Sequence, residues 1–223
     1  MRNIRVDISD EIRAVCPDFR FSVVRAEIRN SQYDAALWSE IEEEISRLKA
    51  LHTTESIKRI SGIAATREAY KRCGKDPSRY RPSNEQLMRR IIQGKGLYQI
   101  DTAVDLVNLA SIRYGYSIGG FDLDKIDGDH VVLGIGREGE PYEGIGRGTL
   151  NIAGMPVYRD ASGGIGTPTS DHERTKLSMS TTHFIAFVNG YDGNEAQTKA
   201  CAEFMAHLLR KYTSAENLEV FSS

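Results

Sequence analysis

The 223-residue chain contains no run of 18 apolar residues, and its longest apolar core, FIAFV at 184–188, is too short to cross a bilayer, so no membrane span is predicted. Basic residues hold no majority. With 29 Lys and Arg against 31 Asp and Glu the net charge is −2, which excludes a globally basic nucleic-acid binder and leaves only a local patch for such a role. Cysteine is scarce: Cys16, Cys73 and Cys201 are odd in number, far apart in sequence and at no metal-ligand spacing. The opening MRNIRVD lacks an apolar signal core, and together these features predict a reduced, cytoplasmic protein. His52, His130, His172, His183 and His207 form no i, i+4 pair and have no carboxylate at ligand spacing, so neither metal nor cofactor is expected. No Ser-His-Asp order, nucleophile elbow or internal repeat is recognisable.

What is present is an ordinary globular balance, 40% apolar and 27% charged, with a charge that is concentrated. Residues 56–95 carry 11 Lys and Arg against three acids (Glu68, Asp76, Glu85). A basic segment on an acidic body suits a phosphate backbone held locally, because neutralised phosphates release counterions. Arg89, Arg90 and Lys95 are the candidate RNA contacts. The alternative is that these cations merely solvate the outer faces of two helices.

Residues 19–28 alternate as Phe19, Phe21, Val23 and then change phase to Val24, Ala26, Ile28, which predicts a strand with a bulge near Val23. Leu37, Ile41, Ile45 and Leu48 behind Asp34 predict a capped amphipathic helix, and a second helix is expected from Thr53 or Thr54 to about Arg72. Ser83 and Gln86 have capping-box spacing ahead of a helix ending at Gly94. Beyond Gly115 short apolar runs at 130–135, 155–158 and 183–188 alternate with Gly-rich turns, and a helix with Ala200, Phe204, Leu208 and Tyr212 on one face closes the chain. The glycines at 134–136 and 144–148 lack the strand–helix context of a phosphate loop and read as hairpin turns. The fold class is therefore α+β. The chain reads as one domain, 1–223, with a helix-rich front part at 1–95 and a β-rich part with the C-terminal helix at 96–223.

Residues 102–114 predict a helix apolar nearly all round, hence buried, with Asp101, Asp105 and Asn108 as its one polar stripe. That stripe should cap neighbouring loops or line a wet pocket. The segment IDTAVDLVN at 100–108, Gly115, and FDLDKI at 121–126 resembles the β-subunit tRNA-binding and editing domain of bacterial phenylalanyl-tRNA synthetase. That family's pattern is I-N-x-V-V-D-x-T-N-Y, six residues, then G-Q-P-x-H-A-F-D-x-D-K. The match is ungapped over 27 positions and keeps Val104, Asp105, Asn108, Gly115, Phe121, Asp122, Asp124 and Lys125. A weaker match through Asp160 and the following Gly/Thr-rich loop extends it to about Val188.

The resemblance implies a β-sandwich-like sheet core flanked by helices, and hydrolysis of a mischarged aminoacyl ester. Of the family's pocket groups the Asn is retained as Asn108. Val107 stands for the Thr, Gly119 for the His, and Phe187 or Val188 for the Glu. Those replacements predict a roomier, less polar pocket with no strong preference for tyrosyl over phenylalanyl esters. The leading reading is an RNA-binding, aminoacyl-tRNA-editing-like protein, a candidate deacylase acting in trans. Asn108 and the backbone N–H groups of Gly119 and Gly120 would serve a developing oxyanion, and His172 would position water. In the polar loop at 163–175, Thr167, Ser170, Asp171 and Arg174 are candidate substrate-binding groups, although Ser170 and Glu173 could equally form a capping box. The rival reading is a non-catalytic binder of tRNA or of a free amino acid. A third is an unrelated small-molecule enzyme using the same pocket.

Overall fold

A computed structural model describes residues 2–222. Two four-stranded sheets face each other, and helices cover the outer face of one. The first sheet has the order β10-β2-β9-β3, with β2 at Arg20–Glu27, β3 at Ser117–Asp122, β9 at His183–Gly190 and β10 at Glu216–Ser222. The second has the order β1-β4-β7-β8, formed by Arg5–Ile8, His130–Ile135, Pro156–Asp160 and Gly163–Gly166. A two-stranded hairpin of β5 (Glu143–Gly144) and β6 (Gly148–Thr149) stands apart. The architecture is α+β with a sandwich core.

The first sheet is buried on both faces. Val24, Ala26, Phe184, Ala186, Val188 and Ile118 pack under helices. Phe21, Val23, Ile185, Phe187 and Phe121 face Val131, Leu133, Tyr158 and Ile165 of the second sheet. This explains the phase change along β2, which is not a bulge. Its register with β9 runs unbroken from Arg20↔Gly190 to Glu27↔His183; the strand moves its apolar residues from one face to the other, and both faces are interior. The irregularity lies instead on the partner, between Glu216 and Glu219 of β10.

The covering helices are α2 (Ala35–Leu51), α5 (Thr102–Tyr114) and α6 (Glu195–Tyr212). Helix α5 has the expected bounds: the Asp101 carboxylate caps it at Val104 N, 2.9 Å, and Gly115 ends it with φ of 75°. The stretch expected as one helix from Thr53 breaks into a 3-10 turn at Ser56–Arg59 and α3 at Ser61–Arg72. Helix α4 (Ser83–Ile92) forms without the expected capping box. Pro82 occupies the cap position, and Gln86 Nε2 donates to Arg81 O instead. The short helix α1 (Asp10–Val15), β1 and β10 were not foreseen.

Helices α3, α4 and α5 converge on one carbonyl. Asn84 Nδ2 donates to Gly115 O at 2.6 Å, and Ser117 Oγ donates to Asn84 Oδ1 at 3.2 Å. A Cβ on Gly62 of α3 would lie 2.4 Å from the same carbonyl oxygen and 2.8 Å from the Tyr116 ring. Gly62→Ala should therefore destabilise the protein by about 1–3 kcal/mol despite alanine's better helix propensity. Urea unfolding of the variant measures this, and an unchanged or raised midpoint contradicts the packing described.

Candidate functional site

The polar stripe of α5 divides by role. Asp101 caps the helix, and Asp105 holds the preceding loop, accepting from Trp38 Nε1 at 2.7 Å and Ile100 N at 3.1 Å. Burial raises the Asp105 carboxyl above the usual carboxylate range. Asn108, half-buried, makes no side-chain hydrogen bond among the described residues and opens into two adjoining chambers.

The inner chamber, about 330 Å³, has apolar walls from Leu87, Ile100, Val104, Val107, Ile118, Ile145 and Leu177. Its polar lining includes Asn108, Gly120 and Asp171. The outer chamber, about 770 Å³, is lined by Arg81, Arg89, Arg90, Lys95 and Arg147 together with Tyr98, Thr169 and Ser170. Ser83, Leu87, Asn108 and Ile145 border both, so the two are parts of one cleft between α4, α5, β3 and the β5–β6 hairpin.

Strand β3 is the edge of its sheet, and the loop after β8 covers that edge. Asp171 Oδ2 accepts from Gly120 N at 3.0 Å. Cβ atoms added at Gly119 and Gly166 would lie 3.2 and 3.1 Å from Asp171 Oδ1 and under 3 Å from the Phe121 ring. The missing side chain of Gly119 thus does not enlarge the pocket, because the Phe121 ring and the Asp171 carboxyl fill that space. Nor is the chamber purely apolar. With no cation hydrogen-bonded to it, burial pushes the Asp171 carboxyl from an ordinary 3.8 up to about 8, and the Gly120 N–H only partly offsets this.

The remaining loop residues are turned to other tasks. His172 lines neither chamber: its Nδ1 accepts from Arg174 N at 3.0 Å, capping the 3-10 turn Glu173–Thr175, and its ring meets Tyr142 edge-on at 4.9 Å. Burial, then the Arg174 guanidinium, keeps this imidazole below its usual pKa. Arg174 grips Asp160 through two hydrogen bonds of 2.8 and 2.9 Å. Thr167 Oγ1 donates to Ser170 O and accepts from Thr169 N and Ser170 N, and Ser170 Oγ donates to Asp171 O. The capping-box pairing of Ser170 with Glu173 does not form. Glu173 pairs with Lys176 and accepts from Gly146 N.

Arg89, Arg90 and Lys95 do share the outer chamber. The Arg90 guanidinium lies 3.7 Å over the Tyr98 ring, and its buried Nε has no hydrogen-bond partner. Glu85, fully buried, pairs with Arg67 at 2.8 Å and lies 3.9 Å from both Arg81 and Arg89, so it offsets part of this charge. Arg147, Tyr98 and Ile145 were missed from the sequence. Tyr98 and Ile145 are exposed apolar residues at the cleft mouth, a signal visible only once the hairpin and α4 are brought together. Among the described residues no group of three His, Cys, Asp or Glu could hold a metal ion, and no helix is long and apolar enough to cross a membrane.

Residues 65–219 match the family described as B3/4 domain. Among solved structures, an N-terminal fragment of the phenylalanyl-tRNA synthetase β-subunit from Pyrococcus horikoshii is similar, with a TM-score of 0.50 at 11% identity. The similarity covers 100% of this chain and 55% of that fragment, so the chain spans little more than half its length. No curated protein matches the chain in sequence.

The raised Asp171 carboxyl has a thermodynamic consequence. The native state keeps a proton that the unfolded chain releases near pH 4. The resulting stabilisation is full below that pH and is lost as pH rises towards about 8. Asp171→Asn should therefore gain stability relative to the parent across that window, by at most about 1.4 kcal/mol per pH unit. Urea unfolding of both proteins at pH 5 and pH 8 checks this; a difference independent of pH refutes it.

Proposed function

The chain belongs to the B3/4 domain family, and from that premise we propose that it binds the aminoacylated end of an RNA and hydrolyses the aminoacyl ester. One observation carries the reading. An apolar chamber large enough to admit any amino-acid side chain and a cation-lined chamber meet at Asn108, whose amide has no partner among the described residues. The acyl group enters the inner chamber, the phosphates lie along Arg81, Arg89, Arg90, Lys95 and Arg147, and the ester falls beside Asn108. The N–H of Gly120 is already engaged by Asp171; of the two polar side chains at the junction, Ser83 and Asn108, the Asn108 amide donates to the oxyanion, and water attacks without a protein nucleophile. Asp171 presents a protonated carboxyl to the acyl group and favours one that can hydrogen-bond.

The second reading, binding of tRNA or of a free amino acid without hydrolysis, is favoured by the placement of His172 outside the cleft and by the occupied Gly120 N–H. Deacylation assays across a panel of mischarged tRNAs separate the two, since saturable binding with no ester hydrolysis leaves only the binder. If the chain hydrolyses, Asn108→Ala should lower the rate about 10²–10³-fold. Asp171→Ala should flatten any discrimination between tyrosyl and phenylalanyl esters. Indifference to Asn108→Ala would remove the oxyanion role.

The outer chamber is tested separately. Apparent RNA affinity should fall with salt, each single-stranded phosphate contact steepening the logarithmic slope by about 0.7. The combined change of Arg89, Arg90 and Lys95 to Glu should weaken binding irrespective of RNA sequence. Unchanged affinity in that triple variant returns those cations to simple solvation of α4.

A further inference from the structure

Cys16 and Cys73, distant in sequence, meet in space. Cys16 is the residue that ends α1 and Cys73 the one that ends α3. The residues before them are tied together, Arg72 Nη1 donating to Val15 O at 3.4 Å. The two side chains interact directly, which lowers the pKa of the Cys16 thiol and, with burial, raises that of Cys73. Cys16 lies against the last turn of α3 and lines a cleft of about 150 Å³ together with Ala69 and Arg72, and a second cleft borders it from the Pro17 side. Both cysteines are free thiols in this structure. Cys201, by contrast, is fully buried in the helix-covered core, its Sγ 4.0 Å from Ala110 O.

We propose that Cys16 and Cys73 are a dithiol site that a peroxide oxidises to an intramolecular disulfide. The Cys16 sulfur, as thiolate, attacks one peroxide oxygen and breaks the O–O bond, giving a sulfenic acid and one water. The Cys73 sulfur then attacks the Cys16 sulfur, the S–OH bond breaks, and the second water leaves with the Cys73 proton. Two thiols lose two electrons and two protons, and one hydrogen peroxide becomes two waters. The order of attack follows from the surroundings: Cys16 borders both clefts beside the Arg72 guanidinium, which favours its thiolate, while the contact with Cys16 and burial raise the pKa of the Cys73 thiol. Cys73 is partly exposed and Cys16 buried, so peroxide reaches Cys16 through the two clefts that it borders. The bond would fasten the α1–β2 corner to the end of α3, away from Asn108 and Asp171, and so stands independently of the proposed hydrolysis.

The test treats the purified, reduced protein with hydrogen peroxide and counts thiols under denaturing conditions. The expected loss is two of three, with an intact mass lighter by two hydrogens and a non-reduced peptide map joining Cys16 to Cys73. Cys73→Ser should leave Cys16 as a sulfenic acid trapped by dimedone, and Cys16→Ser should protect Cys73. Three surviving thiols, a link through Cys201, or a mass gain from oxygen addition without the Cys16–Cys73 link overturns the proposal. The wild-type peptide map decides it even if either variant folds poorly.

Discussion

Burial of one sheet on both faces is the constraint that orders the rest of this protein. Strands β2, β9 and β3 sit between a helical layer and a second sheet. A position in the middle of β9 must then be apolar whichever way it points, and Phe184 through Val188 are fully buried. Asn189, a polar residue in this layer, is partnered, Tyr158 Oη donating to its Oδ1 at 2.7 Å. Such a layer has no room for an ionised group reaching into a pocket. Phe187 and Val188, the positions at which the family's Glu would fall, lie within it. The cleft consequently lies at the edge of β3, among the loops and helix ends that close over it.

At that edge the glycines matter for what they admit. Gly119 on β3 and Gly166 on β8 leave the space into which the Phe121 ring and the Asp171 carboxyl fit. A side chain there would collide with the ring or the carboxylate, so the small residues and the carboxyl form one arrangement. The opposite wall depends on the Gly115 carbonyl, to which Asn84 ties α4. That hydrogen bond, together with Met88 and Ile91 packed in the core that α5 shares, holds the helix bearing Arg89 and Arg90 beside the helix bearing Asn108.

Legibility from sequence followed the strength of local signals. Helix α5 was readable because an unbroken apolar surface, an Asp at the cap and a Gly at the end all agree. Strand β10 was not, since its residues are mostly exposed and only its pairing with β2 makes it a strand. The phase change in β2 was visible but misassigned, because a bulge and a doubly buried strand leave the same trace. In the polar loop, adjacency in sequence misled: Asp171 points into the cleft, His172 turns to Tyr142, and Arg174 reaches Asp160. The bond from Asp171 to Gly120 joins residues 51 apart, and no local spacing announces it. Cys16 and Cys73 were hidden for the same reason.

Charge within the cleft is sorted by depth, and this discriminates among ligand classes. The inner chamber contains one carboxyl that stays protonated at neutral pH and one ammonium, Lys176, already paired with Glu173. It therefore offers little to an ion and much to an apolar or hydrogen-bonding group. The outer chamber offers five cations and an exposed aromatic ring to an anion. A free amino acid, charged at both α-groups, would leave those five cations largely unused and carry two ions towards an apolar wall. A duplex presents phosphates without any group to fill the inner space. On the proposed reading, an ester joining an uncharged acyl side chain to a single-stranded, phosphate-bearing end would meet both demands at once, with its reacting carbonyl beside Asn108, which with Ser83 supplies the polar side chains common to the two chambers.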